Sequence, residues 1–403
     1  MTLADSSRAD SKTGLQVAVV GAGIVGASIA YHLAQRGALV TIVDSGQPGF
    51  GASSHSFAWI NAGHKSPAAY HDLNRRSLEM WDRFAQRLGG GVGLRWGGKL
   101  SWESTSDGAA ALKERVRQLQ EWGYPTRLLD EAELHGLAPE LSLGTVTAAE
   151  FSEIEGQVEP QMVVDACLRG ARELGAKLVE GVSVTGFTRS KGSPRVEGLE
   201  TGSGSLPCDV GVLAAGVNTT ELAAKAGIHV PQEESPGVVI RTGPRPRLLP
   251  TVPVVYAPAL DTDHPDSVRG EIHLRQCHDG TFMIGEGNQE SLLRDDTQAH
   301  ADDLLGRAIH YLPSLAGAQA ITVPVGYRPM PLDGYPILGF PATGSPAPGS
   351  QAPGSAEAAP NVYIALTHSG VTLAPVIGEL AALEIMDGVR VESLSPYRPE
   401  RFL

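Results

Sequence analysis

The run QVAVVGAGIVGASIAYHLAQRGALVTIVD at residues 16–44 constrains this chain more than any other stretch. Residues 17–20 are an apolar run of the length of a buried parallel strand, and Gly21, Gly23 and Gly26 follow at G-x-G-x-x-G spacing. Each glycine has its own reason to be there. Gly21 permits a tight turn, Gly23 lets a pyrophosphate approach the backbone, and Gly26 lets the helix that starts there pack closely on the strand. That helix aims unpaired N–H groups and its positive dipole end at the phosphates. Residues 39–43 form a second strand ending in Asp44, and 44 minus 21 places this acid 23 positions after the first glycine, near the position at about 20 that meets a ribose hydroxyl. Three spaced glycines are a weak signal in a chain holding 48 of them. Strand, helix, strand and terminal acid in order are a strong one.

Residues 15–34 also have the length and apolarity of a membrane span of roughly 20 residues. The glycines, Tyr31, His32 and the second strand so soon after Gln35-Arg36-Gly37 favour the nucleotide-binding unit. The polar head MTLADSSRADSKT lacks the apolar core of a signal peptide, so the expectation is a cytoplasmic protein without membrane association. The net charge of −13 would repel nucleic-acid phosphates. With 403 residues, 42% of them hydrophobic, the chain can bury a large core and divide into two domains. Cys167, Cys208 and Cys277 are odd in number and lack C-x-x-C spacing, which points to buried thiols and not to a disulfide framework or a metal site.

After the first unit comes GFGASSHSFAWINAGHK, a small-residue loop suited to run under a ligand, in which Ser53 and Ser54 either cap a helix or hold a phosphate. Apolar periodicity predicts helices over 73–88, 109–122 and 160–174, the last opened by Pro160 and stopped by Gly175. Strands are expected at 96–102, 177–179, 182–184 and 210–214, with Ala215, Gly216 and Asn218 at the end of an open α/β sheet where ligands bind. Residues 231–321 change character and predict antiparallel strands at 237–241, 271–276 and 281–284. Beyond GYRPMPLDGYPILGF lies a Pro, Gly, Ser and Ala tract at 342–360, expected to be a flexible insert. A strand at 362–366, the loop Thr367-His368-Ser369-Gly370 and a helix from 373 to about 387 close the pattern.

Four separated motifs, GAGIVGASIAYHLAQRGALVTIVD, GASSH, VLAAG at 212–216, and the pair YRPMPLDGYPILG with VYIALTHSGVTLAPVIGEL, resemble the FAD-dependent amino-acid and amine oxidoreductases that include D-amino-acid, glycine and monomeric sarcosine oxidases. The resemblance implies an α/β fold: a Rossmann-like FAD domain (15–90, 150–228 and 322–390) interleaved with a mostly antiparallel substrate domain (91–149 and 229–321). By position it assigns Gly21, Ala22, Gly23, Ile24, Val25, Gly26, Asp44 and Ser45 to the ADP part of FAD, and the Val182 backbone to the adenine. Ala52, Ser53, Ser54 and His55 match the loop beneath the pyrophosphate and flavin, and Ala215 and Gly216 the turn beside the dinucleotide. His368, Ser369, Gly370, Val371 and Thr372 match the helix start at the flavin pyrimidine edge.

Arg328 occupies the place of the arginine that binds the substrate carboxylate in glycine and D-amino-acid oxidases, next to the flavin. Without the resemblance a structural ion pair would explain it equally. His273 stands where several relatives have an active-site tyrosine, and is either a proton acceptor or hydrogen-bond donor to substrate, or a buried structural imidazole. The lysine of sarcosine oxidases corresponds to Thr372, which favours a glycine-oxidase-like carboxylate site. Their flavin-attaching cysteine has no counterpart, and His55 falls where some dimethylglycine dehydrogenases attach flavin; the expectation is non-covalent FAD. His64 and Lys65 are either a solvated pair or near enough to the flavin to assist reaction with oxygen.

The implied activity is hydride removal from a small carboxylated amine, an imine that hydrolyses to an oxo acid, and reoxidation by molecular oxygen to give hydrogen peroxide. A dehydrogenase of amines or 2-hydroxy acids serving a quinone or carrier protein, and a non-catalytic assembly partner, share the motifs. Substrate size and oligomeric state are open at this point.

Overall fold

The glycine turn sets the first layer. In the computed structural model, which describes residues 14–260, 271–287, 293–342 and 358–403, Gln16–Val20 is a strand and Ile24–Gln35 a helix. The helix starts two residues earlier than Gly26, with the Ala27 N–H bonded to the Gly23 carbonyl at 2.9 Å. Gly21 takes φ 99°, and a Cβ there would lie 2.4 Å from the Ala214 carbonyl oxygen. A Cβ on Gly26 would lie 2.0 Å from the Gly21 carbonyl oxygen, the close helix-to-strand approach that the spacing predicts. Leu39–Val43 returns parallel to the first strand, with Val17 beside Val40.

These strands are central in a six-stranded sheet ordered Ile337–Gly339, Val362–Leu366, Val210–Leu213, Gln16–Val20, Leu39–Val43 and Lys177–Val179. All pairs are parallel except Ile337–Gly339 with Val362–Leu366. The helix Gly370–Asp387, ended by Gly388 in the left-handed region, packs on Ile24–Gln35 so tightly that a Cβ on Gly378 would lie 2.2 Å from Ser28 Oγ. Ser28 Oγ also donates to the Ala374 carbonyl at 2.7 Å, which ties the first motif to the last.

The second layer is an eight-stranded sheet ordered Ala320–Thr322, Val239–Thr242, Phe282–Glu286, Ile272–Gln276, Val254–Ala257, Lys99–Glu103, Ala148–Ser152 and Thr126–Leu129. It is antiparallel except between Val254–Ala257 and Lys99–Glu103. The strands Ala148–Ser152 and Ala320–Thr322 run across the expected boundaries at 149/150 and 321/322, because each completes this sheet. The Pro- and Gly-rich tract at 342–360 lies, but for residues 342 and 358–360, outside the described residues.

Several elements differ from expectation for identifiable reasons. The strand at 96–102 is two, Arg95–Trp96 and Lys99–Glu103, because Gly97 and Gly98 take positive φ where a Cβ would meet the Thr251 carbonyl at 2.4 Å and the Phe151 ring at 2.5 Å. The strand at 182–184 is Val184–Thr188 instead. Residues 237–241 divide between Gln232–Gly237, which pairs with Gly326–Pro331, and Val239–Thr242 in the large sheet. The helices at 73–88 and 109–122 extend to Ala68–Arg87 and Ser106–Glu121, the latter capped by Thr105 Oγ1 on the Gly108 N–H. The helix Gln298–Tyr311 was not expected inside a strand-rich block, although its buried Ala301, Leu304, Leu305, Ala308 and Tyr311 recur at helical spacing. No described helix is long and apolar enough to cross a membrane, and Cys167, Cys208 and Cys277 are all buried.

Candidate active site

A cavity of about 540 Å³ opens at the C-terminal ends of the parallel strands. Gly21, Gly23, Ile24, Val25, Asp44, Ser45, Ala52, Ser53, Val182, Ala215, Gly216, His368, Gly370 and Val371 line it, so most residues that the sequence assigns to FAD share one wall. Ala22 and Gly26 support the turn from beneath: Ala22 is fully buried, and Gly26 is pressed against Gly21. Ser54 lies outside the wall, its hydroxyl bonded to the Gly51 carbonyl at 2.9 Å.

The donors around this cavity suit a dinucleotide. Asp44 Oδ2 accepts the Ala22 N–H at 2.6 Å and Oδ1 accepts the Gly46 N–H at 2.8 Å, which holds the carboxylate at the end of its strand. Ser53 Oγ accepts the Ile24 N–H at 3.0 Å, so this serine caps the helix Ile24–Gln35 from a separate loop while its own O–H would stay available to a phosphate. A Cβ on Gly23 would come within 3.4 Å of Ser53 Oγ and narrow the cradle where a pyrophosphate would lie. The Val182 N–H is given to the Asp44 carbonyl at 3.0 Å, so an adenine contact there falls to the Val182 carbonyl.

A second cavity of about 250 Å³ adjoins the first and shares Ala52, Ser56, Tyr327, Pro329, His368 and Val371 with it. His55, Arg328, His273, Ser369 and Thr372 line this second space. Arg328 stands opposite Ser235 across the antiparallel pair, and its Nη1 donates to the Pro236 carbonyl at 2.6 Å and to Ser235 Oγ at 3.3 Å. No acid among the described residues pairs with it, so the ion-pair explanation of this arginine is not what the structure holds. His273 faces Tyr256 on one side strand and Gly285 on the other; its ring stacks on Tyr256 at 5.0 Å and meets Phe57 edge-on at 4.5 Å. Burial, followed by the Arg328 charge, lowers it to about 3, and its Nδ1 has no partner. At neutral pH it is an uncharged ring able to form hydrogen bonds, and a poor acceptor of an ammonium proton.

Thr372 does not extend into a lysine-like role. Its Oγ1 accepts the Asn61 N–H and donates to the Trp59 carbonyl, both at 3.3 Å, fastening the start of Gly370–Asp387 to the loop after GASSH. Ser369 links Tyr70, whose hydroxyl donates to Ser369 Oγ at 2.9 Å, with His368 Nε2 at 3.1 Å.

The structure also brings in residues that sequence reasoning passed over. Trp59 and Tyr256 form a wall, their rings 4.9 Å apart. Behind them Lys99 and Glu150, 1% and 0% exposed, pair at 3.4 Å, with Arg115 on Glu150 at 2.9 Å. Burial raises the Glu150 pKa, but Lys99 and Arg115 outweigh it and hold the carboxylate well below its usual range. Lys99 Nζ also lies 3.4 Å from His64 Nε2. His64 is exposed but Lys65 is buried, so the two are not a solvated pair. A lysine and a glutamate 51 positions apart by count (150 minus 99), each on a strand of alternating character, carry no local signal that they face one another.

Comparison with known proteins agrees with this geometry. The chain is 29% identical over 283 residues to 4-methylaminobutanoate oxidase (formaldehyde-forming) of Paenarthrobacter nicotinovorans, covering 70% of this chain and 33% of that much longer protein. It is 26% identical over 329 residues to glycine oxidase of Geobacillus kaustophilus, covering 79% of this chain and 82% of the relative. The crystal structure of L-proline dehydrogenase from P. horikoshii superposes with a TM-score of 0.79 at 24% identity, over 96% of this chain and 98% of that one, which shows a common fold. Residues 16–383 match the family described as DAO, FAD dependent oxidoreductase, a span that takes in the glycine turn, both cavities and Arg328. With a cradle that fits FAD and a family match over nearly its whole length, the chain belongs to the FAD-dependent oxidoreductases.

Proposed function

We propose that this enzyme is an oxidase of a carboxylate-bearing amine, an amino acid or an N-substituted glycine. Hydride leaves the carbon next to nitrogen, the imine hydrolyses to an oxo acid, and dioxygen becomes hydrogen peroxide. The observation that carries this reading is Arg328, a guanidinium without an acidic partner among the described residues, in the wall of a cavity contiguous with the FAD cradle. A planar fork of donors suits a carboxylate. The relatives named glycine oxidase and 4-methylaminobutanoate oxidase, from their names, act on amines that carry a carboxylate.

Bound FAD supplies the acceptor for the hydride. Arg328 fixes the carboxylate and so orients the adjacent C–H, while Trp59, Tyr256 and Phe57 exclude water from the reacting carbon. Neutral His273 hydrogen-bonds the bound substrate, and the ammonium proton is lost to solvent before reaction.

The test is anaerobic reduction of the bound flavin by glycine, sarcosine, D-amino acids, longer N-carboxymethyl amines and 2-hydroxy acids, followed by admission of air. Bleaching by an amine and peroxide in proportion to it are expected. Bleaching by hydroxy acids alone, or no bleaching by any compound, overturns the amine reading; bleaching without peroxide makes the enzyme a dehydrogenase.

A further inference from the structure

Lys65 is 7% exposed, and its ammonium makes neither a hydrogen bond nor an ion pair with any described residue. Its Nζ lies over the face of the Tyr70 ring, 5.8 Å from the centroid. Glu155, the acid whose charge reaches it, is engaged elsewhere: Oε1 accepts the Tyr124 hydroxyl at 2.7 Å and the Gly63 N–H at 3.1 Å, and Oε2 accepts the Trp59 indole at 2.8 Å. Burial lowers Lys65 to about 8, which leaves most of it charged at neutral pH. A buried ammonium without an anionic partner is costly, and an anion brought beside it offsets that cost.

Lys65 lines the Arg328 cavity and is absent from the wall of the dinucleotide cavity. Arg328 is on the strand Gly326–Pro331 and Lys65 in the loop before the helix Ala68–Arg87, so the two cations come to the cavity from different elements. The charge of Arg328 falls on Tyr256 and His273, that of Lys65 on His64 and Glu155, and His368 lies within reach of both. Among the described residues of the wall the single acid is Glu271, which is exposed. Among the described residues, then, the cavity offers two positive groups on different elements, neither paired with an acid.

We propose that the substrate is a secondary amine bearing two carboxylates, an N-(carboxyalkyl) amino acid, with Arg328 holding the carboxylate on the carbon that is oxidised and Lys65 the carboxylate on the other arm of the nitrogen. The inference rests on the amine-oxidase reading above and names its substrate class. In the reaction the C–H leaves as hydride to FAD and the N–H proton goes to water, forming C=N. Water then adds and the C–N bond breaks, releasing an oxo acid from one arm and a primary amino acid from the other. Dioxygen takes the two electrons and two protons as hydrogen peroxide.

The experiment uses the FAD-loaded enzyme and two ligands that cannot be oxidised at nitrogen, thiodiacetate with two carboxylates and (methylthio)acetate with one, titrated by the change in the flavin spectrum. Thiodiacetate is expected to bind about tenfold to a hundredfold more tightly. Lys65→Met should erase that ratio by weakening thiodiacetate alone, and Lys65→Arg should restore much of it. Lys65→Met removes an unpaired buried charge, so the variant keeps its fold and its FAD, checked by flavin content. Equal affinities in the natural protein overturn the proposal. So does equal weakening of both ligands by Lys65→Met, which would mean one clamp on one carboxylate, or a shifted flavin potential with both affinities intact, which would assign Lys65 to the flavin. If neither ligand perturbs a flavin that is bound, the amine-carboxylate function fails together with this proposal.

Discussion

Trp59 donates its indole N–H to Glu155 Oε2 at 2.8 Å, which fastens a wall of the second cavity to a carboxyl that is fully buried. Burial, opposed by the Lys99 charge, raises Glu155 from 4.5 to about 7. The folded state thus binds this proton more tightly than the unfolded chain. The contribution to stability is fully present below pH 4.5 and is lost as pH rises through 7, amounting to roughly 3 kcal/mol. Thermal unfolding temperatures should fall between pH 5 and 8, and Glu155→Gln should flatten that slope whatever its effect on absolute stability. Parallel profiles for the two proteins would rule out Glu155 as the titrating group.

Arg328→Ala removes the proposed carboxylate anchor while leaving the Ser235 and Pro236 strand paired through its backbone. Loss of a charge-assisted, water-excluded pair costs about 2–5 kcal/mol, or some thirtyfold to several thousandfold in kcat/KM. The loss should lie mainly in KM for carboxylated amines, with FAD content unchanged. Steady-state kinetics matching the natural enzyme would remove Arg328 from the substrate site.

Gly26→Ala forces a methyl group to within 2.0 Å of the Gly21 carbonyl oxygen, so the turn beneath the pyrophosphate has to move. Overpacking of this kind costs about 1–3 kcal/mol or more, and FAD per protein, read from absorbance, should drop sharply. Gly37→Ala is the control: at φ 88° it adds backbone strain that Gly26→Ala does not, but no atom lies within 4 Å of the added methyl, so the turn beneath the cradle is untouched and flavin content should hold.

His55 Nδ1 lies 3.0 Å from Ser54 Oγ and 3.1 Å from the Gly51 carbonyl, contacts that stabilise the imidazole as a free side chain. Precipitation of the enzyme with acid should release the flavin and leave a colourless pellet. A yellow pellet that becomes colourless in His55→Ala would establish covalent attachment instead.

Short-range features were legible in the residues themselves. The strand, turn and helix of 16–35, the helix Pro160–Glu173 and the strand Val362–Leu366 stand within a residue or two of expectation, because glycine spacing, a proline at the first helical position and an apolar run each act over a few neighbouring positions. Lys177–Val179 stands where it was expected. The break at Gly97 and Gly98 was not legible, since it is imposed by the Thr251 carbonyl and the Phe151 ring, which come from distant parts of the chain. Ser53 was legible as a residue able to cap a helix, but not which one, since its hydroxyl reaches the first helix across 29 positions.

By itself, then, the sequence determined a dinucleotide cradle of the FAD-dependent oxidoreductases and the presence of an arginine suited to a carboxylate. What only the tertiary structure decided is the composition of the second cavity: that Lys65 is buried there, that Trp59 and Tyr256 wall it, and that among the described residues neither Lys65 nor Arg328 pairs with an acid. Burial and pairing of charge are properties of the whole packing. They depend on which strands of the two sheets come face to face, and the spacing of residues along the chain holds no record of that.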